Sequence, residues 1–500
     1  MPSAPAEWLQ TMSNHDLAVV ILAAGKGTRL KSSLAKVLHR AGGRTLVEHI
    51  VRACAPLRAR DIVVAIGNQS EEVAAVVEPL GAITVLQQPQ SGTGHAVQVA
   101  RRALGRAKFA LVLPGDAPLV RTETLKSVIA THRNGEAAAT ILSAVVADPS
   151  GYGRIVRKSE TAVSAIVEES QLTDEQREIN EINSAIYCFT LEDLWPALGQ
   201  VKPNNKHREL YLTDAIAVMS GKGETVLAQV AGDSREVLGC NTRADLAEVD
   251  RVFRDWKRSE LMDAGVTLQL PETILIDPEV SAGEDSVIEA GVQLLGKTKL
   301  GARCSVKTGS VLIDSVLGDD VEVKHHCLVV ESRLEDGVTV GPFARLRTGT
   351  HVKTGGSIGN FVETKKAVIG EGAKVPHLTY VGDAKIGAKS NIGAGTITCN
   401  YDGFQKHPTT IGKGVFIGSD SVLVAPVRIG DHAYIAAGST ITENVPADAL
   451  GIGRGRQVTK PGWASKKRRE LAAALQPMKS SRRSAKKKSR PRRASKRRRR

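Results

Sequence analysis

The residues best suited to chemistry fall into two sets, one in each half of the chain. In the first, an apolar run leads into Leu22-Ala23-Ala24-Gly25-Lys26-Gly27-Thr28-Arg29, with Lys36 shortly after. Small residues let backbone N–H groups approach a phosphate, and Arg29 and Lys36 supply compensating charge. A plain structural turn has the same composition, and the spacing matches neither the dinucleotide fingerprint nor the P-loop. Asp116 closes the apolar run Ala110-Leu111-Val112-Leu113-Pro114-Gly115. An acid at the carboxyl end of a buried parallel strand lies where open α/β sheets bind ligands, and one carboxylate plus substrate phosphates can hold Mg²⁺. A turn or helix cap is the other role open to a lone aspartate. In the second set, His377-Leu378-Thr379-Tyr380 is followed by Asn391, Asn400-Tyr401, Ser419, Ala437 and Arg454, with Arg347 and Lys365 upstream. Arg347 and Lys365 can bind a phosphate. An imidazole titrating near neutrality lets His377 serve as general base toward an amine, since an ammonium has no lone pair with which to attack. A solitary histidine on a repetitive face is usually structural, and it is the grouping that favours chemistry here.

These sets need scaffolds, and the sequence specifies two. Over the first ~240 residues, short apolar runs at Val19-Leu22, Ile62-Ile66, Ala110-Leu113 and Ala137-Leu142 are separated by helix-like stretches, the pattern of an α/β domain with a largely parallel sheet. From about Leu270 to Pro446 the chain counts in sixes. Ile411, Ile417, Leu423, Ile429, Ile435 and Ile441 fall in step, as do Leu334, Val340, Leu346, Val352 and Ile358. Six fits neither a helix nor one strand; it fits short strands joined by tight corners, three to a coil of about eighteen residues, a β-solenoid. The low aromatic content, 3%, suits its narrow interior. Between the scaffolds, Leu246, Val249, Phe253 and Trp256 step by three and four, the apolar stripe of one connecting helix. The repeat lapses between Cys399 and Thr410, where Asn400-Tyr401-Asp402-Gly403 predicts a loop pushed out of the coils.

Composition narrows the setting. Six cysteines form no CxxC or metal-like cluster, and the apolar run Ala18 to Ala24 is too short to span a bilayer, so the expectation is a cytoplasmic protein without a membrane span. The net charge of +15 is misleading until it is located. Ala464 to Arg500 carries 18 Lys or Arg against one acid, a net of +17 that leaves −2 for the rest. Such a tail is expected to be disordered, and either binds anionic surfaces or nucleic acid nonspecifically or is simply solvated. No aromatic residue interleaves its charges as base stacking would want.

In the N-terminal half, the Leu22 to Arg29 motif, Lys36, Gln87 with Gly92-Thr93-Gly94-His95, Gly115-Asp116, Gly151-Tyr152-Gly153-Arg154-Ile155, Glu168, Glu181-Ile182-Asn183 and Asn241 resemble the sugar-phosphate nucleotidyltransferases in their order. The resemblance implies that Leu22, Ala23, Ala24, Gly25, Gln87, Gly92 and Thr93 bind UTP, that Arg29 and Lys36 are catalytic phosphate binders, and that Asp116 with Asn241 holds Mg²⁺. It puts Gly153, Glu168 and Asn183 around an N-acetylated sugar. Ala35 stands where that family usually has proline, and Lys206-His207-Arg208-Glu209 where it more often reads Ala-Gln-Gly-Glu. The repeat half resembles the hexapeptide-repeat acetyltransferases, and Leu17 to Trp463 together resemble a bacterial bifunctional family that joins both activities. That implies a left-handed β-helix that forms a homotrimer, with His377 as base, Arg347, Lys365, Tyr380 and Asn391 binding glucosamine 1-phosphate, and Ala394, Asn400, Tyr401, Ser419, Ala437 and Arg454 binding acetyl-CoA. The hydroxyl of Ser419 is our own candidate for stabilising the thioester oxyanion.

The expected organisation is an extension (1–16), a Rossmann-like nucleotidyltransferase domain (17–243), a linker helix (244–264), a hexapeptide-repeat domain (265–463) and a disordered basic tail (464–500). The expected reaction sequence acetylates glucosamine 1-phosphate and couples the product, N-acetylglucosamine 1-phosphate, to UMP. A nucleotidyltransferase with the solenoid as trimerisation scaffold is the alternative; a nucleic-acid-bound scaffold led by the tail fits the near-neutral body poorly.

Overall fold

A computed structural model of the chain describes residues 14–202 and 209–475. Residues 1–13, 203–208 and 476–500 lie outside it, and with them most of the expected N-terminal extension, Lys206 to Arg208 and most of the basic tail. The N-terminal sheet contains β1 (Leu17–Ala23), β2 (Ile62–Ile66), β3 (Ile83–Leu86), β4 (Phe109–Pro114), β5 (Ala139–Val145), β6 (Glu181–Thr190) and β7 (Val226–Val230), in the order β7-β5-β6-β4-β1-β2-β3. Neighbours run parallel except β6, which is antiparallel to both β4 and β5. Alternate residues of β1 and β4 enter separate cores, Val19, Ile21, Leu111 and Leu113 on one side and Ala18, Val20, Ala110 and Val112 on the other. Burial on both faces is why these strands read as unbroken apolar runs.

Helices α1 (Leu46–Cys54), α2 (Thr93–Ala100), α3 (Thr122–Asn134) and α4 (Leu212–Gly221) lie in the connections. Then α5 (Arg243–Asp263) leads into the repeat. Its start is written in Thr242-Arg243-Ala244-Asp245: the Thr242 hydroxyl accepts from Asp245 N, and the Asp245 carboxylate accepts from Thr242 N, a two-way capping box worth about 1 kcal/mol. Helix α5 joins the two halves. Phe253 stacks on His49 of α1 with ring centroids 3.9 Å apart, and burial lowers the His49 pKa to about 4. Asp250 accepts from Gly42 N at 2.7 Å, Arg254 lies 3.8 Å from Asp277, and Arg44 pairs with Glu279 at 2.9 Å.

The repeat region forms three parallel sheets of eleven, ten and nine strands among the described residues, each strand two to four residues long and paired with its counterpart one coil on. Successive partners on one face, Ser305, Glu322, Thr339, Ser357, Lys374 and Asn391, are 17, 17, 18, 17 and 17 residues apart. The count of six therefore holds within its two runs, and elsewhere one residue is dropped at a corner, as between Thr364 and Ile369 or Val381 and Ile386. Those corners close through left-handed residues such as Lys366 (φ 45°) and Asp383 (φ 46°). The interior is aliphatic, with Val340, Leu346, Val352, Ile358, Ile417 and Leu423 buried. Threonines also enter it: Thr364 shares a 2.9 Å hydroxyl bond with Thr350, and Thr398 accepts from Gly382 N at 2.8 Å.

The lapse after Cys399 is an outward excursion between strands Ile397–Cys399 and Thr409–Ile411. It is held by a Tyr401–Lys406 bridge and by Asp402, whose carboxylate accepts from Phe404 N, Gln405 N and His407 Nε2; those bonds pull its pKa below the usual carboxylate range. Among the described residues, those from Gly453 on belong to a second unit. Disorder is expected from Ala464, but the segment starts as helix α6 (Trp463–Ala474), because Ala, Leu, Glu, Lys and Arg are strong helix formers; all its side chains are exposed.

Stacked coils leave no room for a side chain where the chain turns behind the inward isoleucines. A Cβ on Gly387 would lie 2.3 Å from Gly412 C and 2.5 Å from Lys413 N of the next coil. We expect Gly387→Ala to destabilise the solenoid by about 1–3 kcal/mol, the cost typical of overpacking. Thermal unfolding followed by circular dichroism would show it as a lower midpoint.

Candidate functional sites

The N-terminal site gathers at the carboxyl ends of β1 and β4. Gly115 N donates to Leu22 O at 2.8 Å, which sets the Gly115-Asp116 turn beside the Leu22 to Arg29 segment. Ala23 and Ala24 are buried, whereas a Cβ on Gly25 would meet nothing within 4 Å, so this glycine borders open space. Gly27 turns the loop at φ 60°, and a Cβ there would strike the Lys36 side chain. Beyond β7, Cys240 N donates to Asp116 O, and Asp245 of the capping box accepts from Asn241 N at 2.8 Å. The start of α5 thus fixes Asn241 opposite Asp116.

Lys36 Nζ donates to Asn241 Oδ1 at 2.8 Å and forms an ion pair with Asp116 Oδ2; Arg29 Nη2 donates to the same Asn241 oxygen at 2.6 Å. Two hard oxygens therefore converge on one cation. A carboxylate and an amide oxygen suit Mg²⁺, which keeps several waters and takes its remaining ligands from phosphates, so these residues fit the expected ion. No cluster of three or more His, Cys, Asp or Glu that could hold a metal occurs among the described residues.

Around this centre lie the expected base and sugar contacts. Gln87 Nε2 donates to Gly92 O at 2.9 Å and lies 3.3 Å from His95 Nδ1. The Thr93 hydroxyl accepts from Leu212 N at 2.9 Å, and a Cβ on Gly92 would lie 2.6 Å from Leu210 O, so this turn is packed directly on the segment leading into α4. Asn183 N donates to Gly153 O, and Asn183 Nδ2 donates to the Tyr187 hydroxyl. A Cβ on Gly153 would lie 3.3 Å from Ile166 Cγ2 and 3.5 Å from Glu168 Oε2, so Glu168 borders this glycine. Glu168 accepts from the Thr213 hydroxyl at 3.2 Å, and burial, with Asp214 nearby, raises its pKa. Thr213 and Asp214 carry no sequence signal of their own; only the packing of α4 brings them here.

On the solenoid, register explains the second set. The left-handed corner residues Phe361, Leu378, Asp420 and Gly438 follow Asn360, His377, Ser419 and Ala437, and Gly395 follows Ala394. These five preceding residues therefore form one column along a corner, one per coil. Backbone bonds tie it together: Leu378 N to Asn360 O, Asp420 N to Ala394 O and Gly438 N to Ser419 O. Asn360 Oδ1 is bonded to His377 Nδ1. An amide oxygen can only accept, so Nδ1 carries the proton and Nε2 keeps the lone pair in the neutral ring. Asn360 is absent from the sequence-derived set, though its position one coil before His377 could have revealed it.

Arg347 and Lys365 project outward from adjacent coils of the neighbouring face, and Arg347 Nη1 donates to Glu363 Oε1 at 2.7 Å. Lys406, from the expelled loop, lies beside Lys365, and the close approach and charge of its ammonium lower the Lys365 pKa. Three cations thus gather beside two acids, Glu363 and Asp383, a charge balance that can take an anion, and Lys406, which no periodicity marks, is the third of them. Asn400 Nδ2 donates to Asp383 Oδ2, and a Cβ on Gly382 would meet both Asn400 Nδ2 and the Tyr380 hydroxyl, so these three share one spot. Tyr401 is 59% exposed on the loop. Asn391 pairs with Lys374 on a different face from Arg347, and Arg454 falls in the second compact unit.

The chain matches the family model of the MobA-like NTP transferase domain over residues 19–208 and that of the bacterial transferase hexapeptide (six repeats) over residues 408–443. It is 49% identical over 462 residues to the bifunctional protein GlmU of Koribacter versatilis, covering 92% of this chain and 98% of that protein. The corresponding protein of Solibacter usitatus is 53% identical over 458 residues, and that of Streptococcus agalactiae 47% over 457, each alignment covering 91% of this chain and 98% of the relative.

The lysine pair makes a direct test. In Lys406→Met, Lys365 loses its cationic neighbour and should titrate at higher pH than in the parent protein, read from the Nζ resonance by NMR. An unchanged titration would mean the two amines do not interact.

Proposed function

Because the chain belongs to the bifunctional GlmU family, we propose that its two halves make UDP-N-acetylglucosamine in two steps, the solenoid acetylating glucosamine 1-phosphate and the α/β domain transferring a uridylyl group to the product. In the first step the Nε2 lone pair of His377 takes a proton from the substrate ammonium. The amine then adds to the thioester carbonyl of acetyl-CoA, the C–N bond forms, the C–S bond breaks, the nitrogen releases its second proton to water, and the CoA thiolate takes the proton held by His377 and leaves as thiol. Asn360 positions the base by fixing its tautomer. Arg347, Lys365 and Lys406 bind the sugar phosphate, Tyr380 and Asn391 bind around it, and Asn400 serves acetyl-CoA. The small side chains of Ala394, Ser419 and Ala437 leave a shallow track beside the base, which suits a narrow thioester arm, with Ser419 offering a hydroxyl to the oxyanion. Arg347 and Asn391 project from different faces of one chain, which supports sites built between neighbouring subunits of a trimer, where Tyr401 and Arg454 would also serve acetyl-CoA.

In the second step a phosphate oxygen of N-acetylglucosamine 1-phosphate attacks the α-phosphorus of UTP in line, and pyrophosphate leaves. Arg29 and Lys36 balance the spreading charge, Gln87, Gly92 and Thr93 hold the uracil against the turn packed on Leu210, and Gly153, Glu168 and Asn183 line the sugar subsite. Leu22, Ala23, Ala24 and Gly25 give the nucleotide a close backbone approach. Asp116 and Asn241 would hold Mg²⁺, which neutralises charge on the phosphates. A cytoplasmic location fits the six free cysteines. No helix among the described residues is long and apolar enough to cross a membrane.

The observation that carries the two-site reading over a scaffold-only solenoid is the His377–Asn360 pair in a column of small residues beside a cation cluster. We expect Asp116→Ala to abolish uridylyl transfer and spare acetylation, and His377→Ala to do the reverse with a loss of about 10²–10⁴-fold, the usual contribution of a general base. Separate assays of CoA thiol release and pyrophosphate release decide it; wild-type acetylation by His377→Ala would sink the assignment. Asn360→Ala should lower the acetylation kcat with little change in KM, as expected for a residue acting through the base.

A further inference from the structure

We infer that Lys36 is a resident cation that closes the Asp116–Asn241 site to a bare divalent metal until a nucleoside triphosphate draws the ammonium away. The inference rests on Asp116 and Asn241 being the metal-holding pair. Its basis is that an ammonium already stands where Asn241 Oδ1 and Asp116 Oδ2 converge. Asn241 Oδ1 accepts from both Lys36 Nζ and Arg29 Nη2, at 2.8 and 2.6 Å, which uses both of its lone pairs. Asp116 Oδ2 faces the same Nζ, and the two side chains are only 15% and 19% exposed. Lys36 is anchored at its base, where a short 3₁₀ turn (Lys36–Leu38) buries Val37 and Leu38. Only the tip of the chain is free to change partners.

Local charge reinforces the block. Lys36 faces the single carboxylate of Asp116 and Arg29 the neighbouring Asn241 oxygen, while Asp245 is spent on the N–H groups of Asn241 and Thr242, and Arg243 is bonded to Leu30 O. A bare Mg²⁺ would have to shed water, displace an ammonium and then sit beside it, for only two protein oxygens; this ion gives up water reluctantly. A triphosphate reverses every one of these conditions. It brings enough negative charge to outweigh both cations, gives Lys36 and Arg29 new acceptors, and supplies the remaining metal ligands. Metal and nucleotide should therefore enter together, with Lys36 moving from the metal-binding oxygens to the phosphates.

Mn²⁺ binding to the full chain, read from the EPR signal of free Mn²⁺, tests this without any turnover. Without nucleotide, Lys36→Met and Lys36→Gln should each bind Mn²⁺ about tenfold or more tightly than the parent protein, and adding Asp116→Asn should remove the gain. Two replacements of different polarity guard against a packing effect, and an unchanged near-UV circular dichroism spectrum and thermal midpoint verify that the α/β domain of each variant is folded. No gain in either variant overturns the inference. With a non-hydrolysable UTP analogue present, Asp116→Asn in the otherwise unchanged protein should weaken Mn²⁺ retention. If it does not, the metal assignment itself fails; if it does while the Lys36 variants show no gain, only the resident-cation inference fails.

Discussion

Register between stacked coils is the constraint on which the acetyltransferase half depends. Strands of two to four residues have no independent stability, and each completes its backbone hydrogen bonds only with the coils on either side. The requirement that an aliphatic side chain enter the interior at every third of a turn fixes which residues point out, and the parallel ladder aligns them at about 4.8 Å spacing. Asn360 and His377 meet for that reason alone. They are 17 residues apart, one coil of the shorter kind, and the parallel ladder sets them directly opposite one another. The glycines behind the inward isoleucines protect the same spacing, because a methyl group at Gly387 would collide with backbone rather than with a yielding side chain.

The nucleotidyltransferase half is organised by charge around one amide oxygen. Asn241 accepts from two cations because the capping box of α5 holds it there, while the turn after β4 presents Asp116 to the same ammonium. For a pair this buried the cost of desolvation offsets much of the attraction, so stability does not explain such convergence as a structural staple. The arrangement makes better sense as a set of interchangeable partners. Each cation is held loosely enough to be passed to a phosphate.

How much of this could be seen in the sequence depended on whether position followed from periodicity. The inward residues of the solenoid, the excursion after Cys399, the apolar stripe of α5 and the four early strands were all legible, since burial imposes a repeat that survives without coordinates. Strict sixes were only partly right, because a corner can drop one residue by entering the left-handed region, as at Lys366 and Asp383. Lys406 was invisible because it lies in a segment that has left the register. Thr213 and Asp214 were invisible because they reach Glu168 through helix packing, which leaves no short-range pattern. The helix at Trp463–Ala474 was obscured by its charge: a run of Lys and Arg reads as disorder, although the intervening Ala, Leu and Glu favour helix.

Helix α5 does more than connect. Leu261 belongs to the hydrophobic core of the solenoid, and Arg258 donates through Nη1 to Ile274 O at 2.9 Å, so the helix seals the raw end of the first coil. An unsealed coil end presents unpaired strand edges that template association. The seam along which this protein can be dissected therefore lies before Arg243, not at the first strand of the repeat. A fragment severed after α5 would leave the stack uncapped and inclined to polymerise end to end, whereas one that keeps the helix carries its own stopper.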